Sequence, residues 1–427
     1  MRKCSDEKKN KIKQTMAETR EKRKDQICKV FPLKIDISHL NKSEREVLKM
    51  FFVEAKWIYN HILSTGKPFD YDYKNKKVIV LNKDREGEER TLKYLPAKNR
   101  QDVLKTLQCN IRGLSARKKN GGKVGKLKYK SEYKSIDLSQ YGVTHKITGR
   151  NRIKINGLKR PLIVRGLDQI SKDYEIANGK LIKKPSGYYI HLTCYASVRP
   201  PILINKKNDS IGLDYGIKTT ITTSDGEKYN ISIGESKRLK TLQKRLHRRV
   251  KGSKNRQKIR LAIGREYEHI SNQRRDKANK IVSELLRDNE VICMQDENIK
   301  GWHKGLFGKQ VQNSALGTIK SKLEQCKQVV IINRSLPTTK WCHKCGNIVE
   351  ISLSDRVFNC NVCGYSEDRD IKSAKTIKYI GTSDLKDILV PMEYRELTPV
   401  ETMPLPEVFQ PKASTVNETG SLRIHRR

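Results

Sequence analysis

Nowhere do apolar residues run for the ~18 positions that a membrane-crossing helix needs. The first thirty residues, rich in Lys and Glu, hold no apolar stretch of the kind a signal peptide requires. Membrane and secreted classes are therefore not expected. Aromatic residues are scarce at 6%, and hydrophobic residues reach only 36% of the 427, enough for several small cores. Acidic residues are scarce relative to basic ones: 47 Asp and Glu stand against 90 Lys and Arg, a formal net charge of +43. That excess is too large for the solvated face of one helix, and a polyanion, by default nucleic acid, is the natural partner. A ribosomal protein is comparably basic but rarely this long. Ten cysteines are present; four form two Cys-x-x-Cys pairs and six are scattered, which suits a metal in a reducing compartment better than a disulfide framework. The length predicts roughly two to four domains.

Residues 1–27 are polar and cationic, without apolar periodicity, and read as a frayed helix or a disordered basic arm. Alternation of Val30, Leu33, Ile35 and Ile37 predicts a strand over 29–38. Asn41 with Glu44 makes a capping box that starts a helix over 43–64, and a second helix covers about 99–118. The stretch 66–93 between them is charged and turn-rich. From Gly121 to 205, short alternating runs at 135–138, 153–155, 162–164 and 188–192 predict a small β-barrel or sandwich. Lys126, Lys128, Tyr129, Lys130 and Lys134 interleave cations with a ring, which suits phosphate contact plus base stacking; taken alone, the segment equally describes a surface strand with solvated lysines. From Ser210 the pattern becomes mixed α/β. Strands at 211–215 and 219–223 are followed by a basic helical hairpin turning at 251–255, a strand at 291–294, a helix over about 313–327, a strand at 329–332 and a last helix from about 369. Residues 386–427, with five prolines, read as an unstructured tail.

Two constellations carry chemistry. Cys342-x-x-Cys345 and Cys360-x-x-Cys363 are separated by fourteen residues, and each pair is followed by glycine, Gly346 and Gly364. Two such knuckles supply the four thiolates of a tetrahedral structural zinc. The second constellation is three separated carboxylates. Asp214 ends an apolar strand, Glu297 lies just past another, and Asp370 opens the final helix. Three carboxylates can hold two divalent cations ~3.5–4 Å apart for phosphodiester hydrolysis, and Mg²⁺ suits such a site. On spacing alone, an acid near a strand end is more often a turn or cap residue.

The order of motifs is more specific. Ile211-Gly212-Leu213-Asp214-Tyr215-Gly216-Ile217-Lys218 precedes the basic hairpin with Asn272-Gln273-Arg274-Arg275-Asp276. Then come Gln295-Asp296-Glu297-Asn298-Ile299, Pro337-Thr338-Thr339-Lys340-Trp341-Cys342, and Cys363-Gly364-Tyr365-Ser366-Glu367-Asp368-Arg369-Asp370. Over about 28–385 this resembles TnpB and the miniature type V CRISPR-associated RNA-guided nucleases. The resemblance implies an α+β multidomain fold. A wedge-type β-barrel (28–40 and 121–207) carries a helical recognition insertion (41–120). An RNase H-like RuvC nuclease (208–335 and 366–385) carries an inserted zinc ribbon (336–365). A basic arm (1–27) and a tail (386–427) complete the chain. The implied activity is a guide-RNA-directed, Mg²⁺-dependent DNA endonuclease in the cytoplasm of a prokaryote. It would cut double-stranded DNA beside a short flanking motif, with sequence read by base pairing. Catalysis would fall to Asp214, Glu297 and Asp370 around two Mg²⁺, Mn²⁺ being able to substitute. Cys342, Cys345, Cys360 and Cys363 would hold one Zn²⁺. Lys126, Lys128, Tyr129, Lys130, Arg274 and Arg275 would contact nucleic acid. The miniature effectors imply a homodimer on one guide RNA, TnpB a monomer.

Two departures from the family pattern stand out. Many relatives carry Glu where this chain has Gln295; because strand side chains alternate, Glu297 shares that face if the strand runs two residues further, whereas Asp296 points away. Lys372 occupies a position where many relatives have Asn. The altered second motif keeps open an RNA-guided DNA-binding repressor that no longer cuts. A plain transposase would need a nucleophilic Tyr or a different acidic spacing.

Overall fold

The structure, a computed structural model, describes residues 6–82, 86–197, 206–352 and 354–383. The tail expected over 386–427 lies outside them. The chain divides into two units, residues 1–201 and 202–427.

In the first unit, α1 (Asp6–Lys24) leads into β1 (Gln26–Asp36), so the basic arm is helical. α2 (Lys42–Thr65) starts at the expected capping box: Glu44 N–H donates to Asn41 Oδ1 at 2.8 Å, and Asn41 N–H donates to Glu44 Oε2 at 3.0 Å. Such a cap contributes about 1 kcal/mol. A hairpin, β2 (Lys77–Leu81) and β3 (Gly87–Thr91), occupies the turn-rich stretch, followed by α3 (Ala97–Lys119). Six further strands are β4 (Ser135–Leu138), β5 (His145–Gly149), β6 (Arg152–Ile155), β7 (Leu162–Arg165), β8 (Glu175–Lys184) and β9 (Gly187–Ser197). β1 and β4–β9 form one antiparallel, nearly closed barrel-like sheet in the order β4-β8-β9-β1-β7-β6-β5. Its interior follows the period of two: Phe31, Leu33 and Ile35 are buried, while Pro32 and Lys34 between them are exposed.

In the second unit, β10 (Asn208–Tyr215), β11 (Ile221–Thr223) and β12 (Lys228–Tyr229) run antiparallel. The helical hairpin α4 (Lys237–His247) and α5 (Lys254–Asp288) then returns the chain to β13 (Asn289–Gln295), parallel to β10. Three short helices, α6 (Ile299–Lys304), α7 (Gly308–Ser314) and α8 (Leu316–Leu323), lead to β14 (Val329–Ile332), parallel to β13. Parallel neighbours need such crossovers. The sheet order is β12-β11-β10-β13-β14. The single helix expected over 313–327 is two helices, because Ala315 takes the left-handed region (φ 56°) and ends one before the next begins. After the cysteine cluster, which includes β15 (Val357–Asn359) and β16 (Ser366–Asp368), α9 (Arg369–Thr382) packs on β10. Gly212 permits this approach: a Cβ there would lie 2.0 Å from the Ala374 carbonyl oxygen.

Candidate active site and metal centre

β10, the turn after β13 and the first turn of α9 bring three acids into one electrostatic neighbourhood. Asp214 is the penultimate residue of β10, with Leu213 opposite Met294 of β13 and its own position opposite Thr222 of β11. The residue as a whole is partly exposed, yet its carboxyl is buried and its pKa is pushed up to about 7. Removal from water is the largest cause, followed by the like charge of Asp370; Glu297 adds a smaller repulsion, which Ser373 and Arg369 partly offset. Burial likewise raises Glu297, against the opposing pull of Lys320 and Arg334. Asp370 is half-buried in the first turn of α9, with Asp368 capping the helix by accepting the N–H groups of Asp370 and Ile371.

β13 ends at Gln295, so the strand does not reach Glu297 as the alternation argument required. The Glu297 N–H donates to the Gln295 carbonyl at 2.9 Å, and this tight turn carries the chain off the sheet. Asp296 is occupied elsewhere. Its carboxylate accepts from Lys320 Nζ at 2.7 Å and Arg334 at 2.8 Å, and these bonds carry its pKa below the usual range although burial alone would raise it. Lys320 also donates to the Glu297 carbonyl at 2.7 Å, fixing the turn. Asp296, Glu297, Lys320 and Arg334 line one cavity of about 600 Å³, open to solvent. Gln295 is buried, and its amide is bonded to the 333–338 segment.

The four cysteine sulfurs lie within 4.8 Å of one another; among the described residues no other three or more His, Cys, Asp or Glu are gathered that tightly, the three carboxylates included. Cys342 and Cys363 sulfurs are 3.8 Å apart, Cys345 and Cys360 sulfurs 3.5 Å. Both knuckles have the same backbone: Gly346 N–H donates to the Cys342 carbonyl and Gly364 N–H to the Cys360 carbonyl, with φ of 75° and 72° at the glycines. Burial opposes the Cys360 thiolate, but N–H groups of Cys363 and Val362 aimed at its sulfur bring its pKa down to about 6. Such a four-thiolate cluster can bind a structural metal.

The expected nucleic-acid residues divide into free and engaged. Lys126 and Lys128 are exposed, and Tyr129 is 65% exposed, on a segment that is irregular rather than the strand entertained above. Lys130 is engaged. Its ammonium sits 4.0 and 4.2 Å from the Tyr59 and Tyr133 ring centres, and its backbone is clamped by Asn60. Arg274 donates to the Ile233 carbonyl at 2.8 Å and to Asn313 Oδ1 at 2.7 Å, pinning α5 to its neighbours. Arg275 is exposed and touches Asn272. Sequence reading missed Ser373 beside Asp214, Thr338 beside Ser373, and Lys320 beside Glu297. No spacing rule flags them, because their roles depend on which segments meet.

Two stretches of the chain match known families. Residues 194–303 match a family described as "Probable transposase", and residues 316–377, which hold the cysteines and Asp370, match "Cas12f1-like, TNB domain". The resemblance to the TnpB and Cas12f1-like family is borne out. Among relatives, a Streptomyces pristinaespiralis protein named "Putative RNA-guided DNA endonuclease" is 27% identical over 266 residues, covering 60% of this chain and 65% of the relative. The Escherichia coli protein "Putative RNA-guided DNA endonuclease InsQ" is 29% identical over 218 residues, 45% of this chain and 54% of its own. The chain thus spans less than two thirds of either relative. A solved structure of a Cas12f1–sgRNA–target DNA complex matches with TM-score 0.39 and 17% identity over 79% of each chain. Among the described residues, no helix is long and apolar enough to cross a membrane.

Proposed function

We propose that this protein is an RNA-guided DNA endonuclease whose second unit is an RNase H-like, RuvC-type nuclease with Asp214, Glu297 and Asp370 as its acids. The observation that carries the reading is the convergence on Asp214 of segments far apart in sequence: with its burial, the charges of Asp370 and Glu297 raise its pKa to about 7. The all-oxygen donor set fits a hard divalent cation, which would relieve the repulsion. When bound, Mg²⁺ supplies water activation and stabilisation of the departing oxygen. The chain's own part is to orient the carboxylates: Ser373 holds Asp214, the Asp368 cap sets the turn bearing Asp370, and Lys320 fixes the turn bearing Glu297. Strand order β12-β11-β10-β13-β14, with the first three antiparallel and β10, β13 and β14 parallel, supports the nuclease assignment.

For the cysteine cluster we assign Zn²⁺. Four sulfurs at ~2.3 Å from one tetrahedral ion lie ~3.8 Å apart, close to the 3.5 and 3.8 Å found. The names of the relatives support guide RNA and target DNA as partners, and the charge of +43 suits both. Lys126, Lys128, Tyr129 and Arg275 are the exposed contacts in this reading. The test is purified protein with guide RNA, Mg²⁺ and a plasmid carrying the matching sequence beside a library of flanking motifs. Linearised plasmid is expected, and Asp214→Ala should abolish cutting while sparing DNA binding. Guide-dependent binding without cutting by the wild type would replace this reading with the repressor.

A further inference from the structure

Three buried polar side chains connect the segment before the cysteine cluster to Asp214. Gln295, Thr338 and Ser373 are 5%, 5% and 2% exposed. The Gln295 amide nitrogen faces three carbonyl oxygens, of Asn333 at 3.0 Å, Arg334 at 3.2 Å and Leu336 at 3.0 Å. That leaves its oxygen to accept the Thr338 hydroxyl proton at 3.0 Å. Thr338 is held from behind as well, because the buried Lys372 ammonium donates to the carbonyls of Thr338 and Thr339 at 3.0 and 2.8 Å. The Ser373 hydroxyl then has one proton and two acceptors, Thr338 Oγ1 at 3.4 Å and Asp214 Oδ1 at 3.1 Å. Ser373 shares that proton between the two in a three-centre bond, Asp214 being the nearer acceptor, and so bridges Thr338 to the carboxyl.

We infer that Gln295, Thr338 and Ser373 form a buried positioning network that fixes the Asp214 carboxylate for cation binding, and that Gln295 is there as an amide rather than as a lost acid. The inference rests on the reading of Asp214 as a metal-binding acid. A glutamate at 295 would aim an acceptor-only carboxylate at three carbonyl oxygens in a dry site, with no donor for any of them. Restoring the family's acid there would therefore break the 333–338 segment and move Thr338 away from Ser373.

The test is Mn²⁺ binding to the full-length protein free of nucleic acid, read by titration calorimetry, with melting temperature measured alongside. Outer partners of metal ligands typically contribute about 10–100-fold in affinity. Ser373→Ala should weaken Mn²⁺ binding about tenfold while the protein melts within a few degrees of wild type. Thr338→Val should weaken it too, and Thr338→Ser, which keeps the hydroxyl, should recover most of the loss. Gln295→Glu should lower the melting temperature and weaken Mn²⁺ binding. Wild-type affinity in Ser373→Ala, or tighter Mn²⁺ binding in Gln295→Glu, overturns the network. Unchanged Mn²⁺ binding in Asp214→Ala overturns the metal-site reading and the network with it.

Discussion

At the residue scale, Asp214 has a testable cost. Its folded pKa of about 7 lies above the ordinary 3.8, so between these values the folded protein binds more protons than the unfolded chain. Stability without metal therefore falls as pH rises through that window. Asp214→Asn removes the penalty, and thermal melts at pH 8 in a chelator should show a gain of about 1–3 kcal/mol, from ~1.36 kcal/mol per unit discounted for relaxation. At pH 4 the two proteins should melt alike. Added Mg²⁺ should stabilise the wild type at pH 8 and leave the Asn variant nearly unmoved. Asp296 supplies the contrast: it is already neutralised by Lys320 and Arg334, so Asp296→Asn should impair cutting less than Glu297→Gln in a plasmid assay. The reverse ranking would reassign the second acid.

At the element scale, the seating of α9 on β10 decides whether Asp370 and Ser373 reach Asp214. Gly212 leaves that seat open, and Gly212→Ala would press a methyl into the Ala374 carbonyl. Overpacking of this kind typically costs 1–3 kcal/mol and here a backbone must move, so denaturant melts should show a loss of about 3 kcal/mol. The cysteine cluster bears on the same helix. Trp341, next to Cys342, packs with Ile377 and Ile380 of α9, and Lys372 ties α9 to Thr338 and Thr339. Metal analysis should find one zinc per chain, and stripping it should lower the melting temperature by several degrees. An unchanged melt after zinc loss would separate the ribbon from the stability of α9.

At the scale of the whole molecule, the charge of +43 predicts a strongly salt-dependent affinity for the nucleic acids proposed above as partners. With six to ten phosphates neutralised, affinity should fall about 10³–10⁵-fold between 50 and 200 mM salt, measured by filter binding. A flat response would argue against a polyanion-driven interface.

Local rules made much of this legible in the chain. The capping box at Asn41 and Glu44, the strand 329–332 and the start of α9 are read from neighbours a few positions apart, because caps and alternation are short-range effects. The same holds for the two cysteine knuckles, whose glycines make the turn within six residues. The strands β5 and β8 were not legible, since each breaks its regular pattern at an irregularity, β5 between Ile147 and Gly149 and β8 between Ile176 and Asn178. The split of one helix at Ala315 was equally hidden, because alanine gives no sign of a left-handed backbone. Gln295 looked like a missing acid, and Arg274 and Lys130 looked like free cations, until their partners came into view. Composition and local spacing were enough to determine a basic, multi-element chain with two cysteine knuckles and three candidate acids. Which of those acids meet, and which polar groups are spent holding them, depended on contacts between residues 23 to 159 positions apart. Only the tertiary structure brings such residues together, and burial then sets the strength of every charge and hydrogen bond among them.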